Sequence, residues 1–130
     1  ISSDIENMAE YMGVIRLTTS AISNKIGLNI DDIDDIKVSI GEACTNIIKH
    51  GIVGKKGDID INYSLYPDRL TISVKDKGNG FDIKDIKEPN IEELNESGLG
   101  IFIIKSLMDQ VDIISTEDGT EIKMTKIKNY

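Results

Sequence analysis

The sequence predicts an α+β fold in which helices cover one face of a sheet. Three observations predict it. Apolar residues recur at helical spacing over residues 5–26 and again over 36–48. Two runs, 59–65 and 70–75, then alternate apolar with polar residues on either side of Pro67 and Asp68, the pattern of a half-buried hairpin. The last third repeats helix and hairpin, with an apolar stretch at 98–111 and two short strands around a turn at 117–119.

In chain order, the first helix covers residues 4–25. Ile5, Met8, Tyr11, Met12, Ile15, Leu17, Ala21 and Ile22 carry its apolar positions, Gly13 is a tolerated weak point, and Gly27 stops it. The acidic stretch NIDDIDD, residues 29–35, leads into the second helix. Asn29 or Asp31 caps it, and negative charge in its first turn suits the helix dipole. Ile36, Ile40, Ala43, Ile47 and Ile48 form the stripe that fixes this helix on a core. It ends at His50 and Gly51, where the single histidine either serves the helix end or approaches a phosphate. Residues 51–57 are a loop. After the first hairpin, residues 81–96 are polar, contain Pro89 and read as a lid over a ligand. Ser97 caps the third helix, whose nearly unbroken apolar character predicts deep burial. Ile122 and Met124 point inward from the final strand.

At 130 residues the chain is read as one domain, 1–130, large enough for a sizeable core. It opens on Ile1 rather than Met, so residues are expected ahead of it. No apolar run approaches a membrane span, and no basic-then-apolar leader is present, so neither membrane contact nor export is expected. Cys44 is the only cysteine, which excludes an intrachain disulfide and fits a reducing cytoplasm. The formal net charge of −8 argues against direct nucleic-acid binding, which needs clustered Lys and Arg. It does not exclude ATP, because Mg²⁺ and backbone N–H groups supply positive potential locally. The acidic surface serves solubility or a basic protein partner.

Glu42 and Asn46 lie four residues apart, so on a helix they project from one face, one turn apart. A carboxylate and a carboxamide so placed suit a general base and a metal-ion ligand. Asp76 ends the second strand and opens DKGNG, residues 76–80. An aspartate there can accept a hydrogen bond from an exocyclic amine such as that of adenine, while Gly78 and Gly80 let the backbone approach a flat ring. The segment has neither the spacing of an EF-hand nor the GKS or GKT of a Walker loop. Ser97, Gly98, Leu99 and Gly100 open the third helix, whose free N–H groups and dipole favour phosphate oxygens. Each segment alone is a tight turn or a plain cap; the three in this order point to an ATP site.

Those three segments resemble the asparagine box and the two glycine boxes of the GHKL ATPases, which include histidine kinases, gyrase-type ATPases and anti-sigma serine kinases. The wording EACTNIIKHG, SGLGIFIIKSLMDQV and VIRLTTSAIS is similar to the last group, and the resemblance covers nearly the whole chain. It implies a Bergerat two-layer α/β sandwich with a mixed, mostly antiparallel sheet. It implies that Glu42 is the base that activates a serine hydroxyl, that Asn46 holds Mg²⁺ and that Asp76 reads adenine. Gly78 and Gly80 would line the adenine pocket, and Gly98 and Gly100 would lie at the phosphates. Thr120 would stand close to the adenine and Arg16 would bind a partner near a homodimer surface. The implied partners are a sigma factor and an anti-sigma-factor antagonist of the STAS type, the latter phosphorylated on serine with MgATP. Two alternatives stand beside this: a non-catalytic ATP-binding switch, and a histidine-kinase catalytic domain, against which speaks a first helix without histidine. The chain departs from the family pattern in carrying Glu96 ahead of Ser97, in a short lid and in an N-terminal strand cut short at Ile1.

Overall fold

The computed structural model describes residues 2–4, 8–50, 58–76, 91–116 and 119–130. Strands β1 (Ser2–Asp4), β2 (Asp58–Tyr66), β3 (Arg69–Asp76), β4 (Gln110–Thr116) and β5 (Gly119–Ile127) form one sheet in the order β1-β2-β3-β5-β4. Helices α1 (Met8–Lys25), α2 (Ile30–His50) and α3 (Ile91–Leu107) complete the described elements. Every pairing among these strands is antiparallel, which narrows the expected mixed sheet to an antiparallel one among the described residues.

The alternation read in residues 59–65 and 70–75 is the register of the β2–β3 hairpin, with Ile61 opposite Val74 and Tyr63 opposite Ile72. Its inward side chains, Ile59, Ile61, Leu70, Ile72 and Val74, are fully buried and join Ile122 and Met124 of β5. Against them lie Ile36, Ile40, Ala43, Cys44 and Ile47 of α2, with Ile15 of α1 and Ile104 of α3. The predicted α2 stripe is therefore the centre of the core. Helices cover that one face. On the other face polar residues pair across strands, as where the Thr71 and Thr125 hydroxyls stand 3.0 Å apart.

The helix ends follow their local chemistry. Asn29 is the α2 cap: its Oδ1 accepts the Asp32 N–H at 2.8 Å. Gly27 closes α1 with φ at 81°, and a Schellman pair forms as the Gly27 N–H bonds the Asn24 carbonyl and the Leu28 N–H bonds that of Ser23. The first helix starts at Met8 rather than residue 4, because Ser2–Asp4 is extended and pairs with β2, Ser2 lying opposite Asp60.

The third helix departs further from expectation. It begins at Ile91, so Ser97 is an interior residue and not its cap, and 91–96 belong to helix rather than to a polar lid. The residues IEELNE are strong enough helix formers to carry the helix through Gly98 and Gly100, each of which costs about 1 kcal/mol relative to alanine. Its burial is also one-sided. Leu99 and Phe102 are 60% and 66% exposed, while Gly100, Ile104 and Met108 face the core. A helix lying on the outer side of α2 has one face to bury, whatever its composition.

One inward position of β5 is a cation. Lys126 continues the Ile122–Met124 alternation and is only 9% exposed. Its Nζ donates to the Leu107 carbonyl at the end of α3 and to Asp35 Oδ2 at 3.2 Å, and lies 3.7 Å from Asp32 Oδ1 in the first turns of α2. The ammonium thus ties a helix C-terminus to an acidic helix N-terminus.

Candidate functional site

Glu42 and Asn46 are both half-buried on α2, one turn apart, as their spacing requires. Ile40, Ala43, Cys44 and Ile47 anchor this stretch on the sheet and leave Glu42 toward α3. There the carboxylate meets bare backbone: Glu42 Oε2 lies 3.1 Å from the point a Cβ on Gly100 would occupy. The structure brings the candidate base and the second glycine segment into contact.

Asp76 ends β3 opposite Ile59 and is 1% exposed. The entry of β5 packs on it. Gly119 has φ at 129°, a conformation L side chains rarely adopt, and a Cβ there would collide with the Asp76 carbonyl oxygen. Thr120 follows, half-buried, its hydroxyl 3.1 Å from that of Ser115 across the β4–β5 pair. Asp76, Gly119 and Thr120 are so gathered at one end of the sheet. The packing of Gly119 on Asp76 was missed by sequence reasoning, although a glycine before the threonine of a strand entry was available as a signal. Gly78 and Gly80 lie outside the described residues.

The second glycine segment is placed differently from its reading. The backbone N–H groups of Gly98, Leu99 and Gly100 lie inside α3, not at its start, so the expectation of a helix N-terminus open to phosphate at Ser97 is not met in this conformation. Gly98 and Leu99 are exposed and Gly100 is buried. Arg16 is exposed on α1, and its guanidinium lies 3.6 Å from the Cβ position of Gly41, one residue before Glu42. The residue read as partner-binding therefore packs on α2 at Gly41, next in the chain to the candidate base.

The remaining nucleophile is inert. Burial pushes the Cys44 thiol up to about 12, so it stays protonated and core-packed rather than reactive. Tyr63 is likewise raised, by burial first, and its hydroxyl is 2.8 Å from Thr19 Oγ1.

Among the described residues no group of three or more His, Cys, Asp or Glu is placed to hold a metal ion. Among those residues a carboxylate cage is thus not on offer, whereas Mg²⁺ shared between one protein oxygen and nucleotide phosphates suits a carboxamide such as that of Asn46. No helix among the described residues is long and apolar enough to cross a membrane.

Known proteins carry the same plan. The family of the histidine kinase-like ATPase domain matches residues 5–126. The serine-protein kinase RsbW of Bacillus licheniformis is 39% identical over 129 residues, covering 92% of this chain and 80% of that protein. RsbW of Bacillus cereus (strain ATCC 10987) is 42% identical over 135 residues, covering 97% and 83%. The histidine kinase domain of a blue-light activated histidine kinase from Erythrobacter litoralis superposes with a TM-score of 0.58 at 21% identity, over 91% of this chain and 59% of that one, a likeness of fold alone. The chain belongs to the histidine kinase-like ATPase domain family, among the RsbW serine-protein kinases.

Proposed function

We propose that the chain is a single domain acting as an ATP-dependent protein serine kinase and anti-sigma factor. The observation that carries this reading is the meeting of Glu42 with the glycine segment of α3, one turn from Asn46. Asp76 would read the adenine amine from its buried seat beside Gly119, with Thr120, Gly78 and Gly80 around the ring. Asn46 would hold Mg²⁺, and Ser97, Gly98, Leu99 and Gly100 would serve the phosphates. Mg²⁺, when bound, neutralises charge on the phosphate oxygens. Glu42 takes the proton of a substrate serine as that oxygen bonds to the terminal phosphorus and the bond to the ADP oxygen breaks.

The substrate is a STAS-type anti-sigma-factor antagonist, and the sequestered partner is a sigma factor. Arg16, exposed on α1 against Gly41, would touch the partner. The protein works as a homodimer in the cytoplasm, with no direct contact to nucleic acid or membrane. Phosphorylation releases the antagonist and frees the kinase to hold its sigma factor. The exclusion of a histidine phosphoacceptor in α1 rests on its sequence, which contains no histidine.

The test is the intact mass of the antagonist after incubation with this chain and MgATP. One phosphoryl group mapped to serine is expected, and Glu42→Ala lowers its rate by about 10²- to 10⁴-fold. Unmodified antagonist in an ATP-dependent complex would replace this reading with a non-catalytic switch.

A further inference from the structure

The two glycines of the α3 segment face different surroundings. A Cβ on Gly98 would meet nothing within 4 Å, whereas one on Gly100 would meet the carboxylate of Glu42 at 3.1 Å. Gly100 is buried and Glu42 half-buried, the carboxylate resting on the Gly100 backbone. At 3.1 Å a methyl carbon at 100 lies inside ordinary van der Waals contact with the carboxylate oxygen, so Glu42 must give by a few tenths of an ångström. The two helices are also tied elsewhere along their contact. Glu42 meets Gly100 while Asp35 and the Leu107 carbonyl share Lys126, so α2 and α3 run antiparallel and are tied at the other end of their contact.

We propose that Gly100 is a positioning residue for Glu42: the missing side chain sets where the base stands. The inference rests on the reading of Glu42 as the base. It assigns Gly100 a task at the proton-accepting group, separate from any contact it makes with nucleotide. Displacements well under 1 Å are enough to degrade a proton transfer that depends on hydrogen-bond reach.

The test is steady-state phosphoryl transfer from MgATP to the antagonist protein, with Gly100→Ala, Glu42→Asp and the double variant, alongside the melting shift given by MgATP. Gly100→Ala should fold, since alanine is the better helix former. It is expected to lower kcat at saturating MgATP about five- to thirtyfold, a loss separate from any change in KM for ATP or in the MgATP melting shift, which report its contact with the phosphates. Glu42→Asp withdraws the carboxylate by one methylene, so it should cost less in the Gly100→Ala background than in wild type, a coupling that a merely structural role does not produce. An unchanged kcat at saturating MgATP in Gly100→Ala, or strictly multiplicative variants, would each overturn the positioning role while leaving the base intact. If Glu42→Ala itself retains full activity, the base reading falls instead.

Discussion

At Asp76 the chain meets Gly119 backbone to backbone, whereas at Glu42 a carboxylate on a flexible side chain meets the bare backbone of Gly100. The first contact joins the ends of two paired strands, with a buried carboxylate and a glycine in a conformation L residues rarely adopt. The second joins two helices through one adjustable side chain that is half open to solvent. On the proposed roles the difference separates recognition from chemistry. In those roles, a group that reads a flat ring gains from a seat that cannot shift, and a base on a longer side chain depends on a neighbouring backbone to hold its reach.

The largest effect is expected where no adjustment is possible. Gly119→Ala forces a Cβ into the Asp76 carbonyl oxygen at a strained φ, and should destabilise the fold by about 3 kcal/mol or more. Urea unfolding measures it, and a loss under about 1 kcal/mol would mean that the strand ends separate as easily as the helices do.

Asp76→Asn sharpens the same end without disturbing the backbone. It should remove most of the stabilisation that MgATP confers on thermal melting, which reaches about 2.7 kcal/mol at a hundredfold excess over Kd. A mutant stabilised as fully as wild type would take the adenine assignment away from Asp76.

Gly13→Ala supplies the baseline for both. Gly13 is exposed in α1 with nothing within 4 Å of its Cβ position, so only helix propensity changes. A gain of about 0.5–1 kcal/mol is expected, and a loss would reveal a contact at Gly13 beyond those of the chain itself.

Much of the fold was legible because its cues are local. The α2 stripe at Ile36, Ile40, Ala43 and Ile47, the Asn29 cap, the Gly27 stop and the β2–β3 alternation each depend on neighbours within a few residues, and the structure realises each. Asp76 was legible as the end of a strand, though its near-total burial was not. In α3 local cues competed: glycines at 98 and 100 suggested a start, while the helix formers of 91–96 won. The exposure of Leu99 and Phe102 was hidden because a continuous apolar run names no face. Contacts between distant segments left no trace at all. Gly100 against Glu42, Gly41 against Arg16 and Gly119 against Asp76 are each made by a missing side chain, which no periodicity records.

Lys126 has a mechanical consequence. It pins α2 and α3 at Asp35 and Leu107, and the touching pair Glu42 and Gly100 lies seven residues along each helix from that pin, 35 to 42 and 107 to 100. Seven residues make a lever arm of about 10 Å, so a swing of about 3° at the pivot becomes a displacement of about 0.5 Å at the carboxylate. The position of Glu42, the proposed base, is thereby geared to a buried lysine well outside the site.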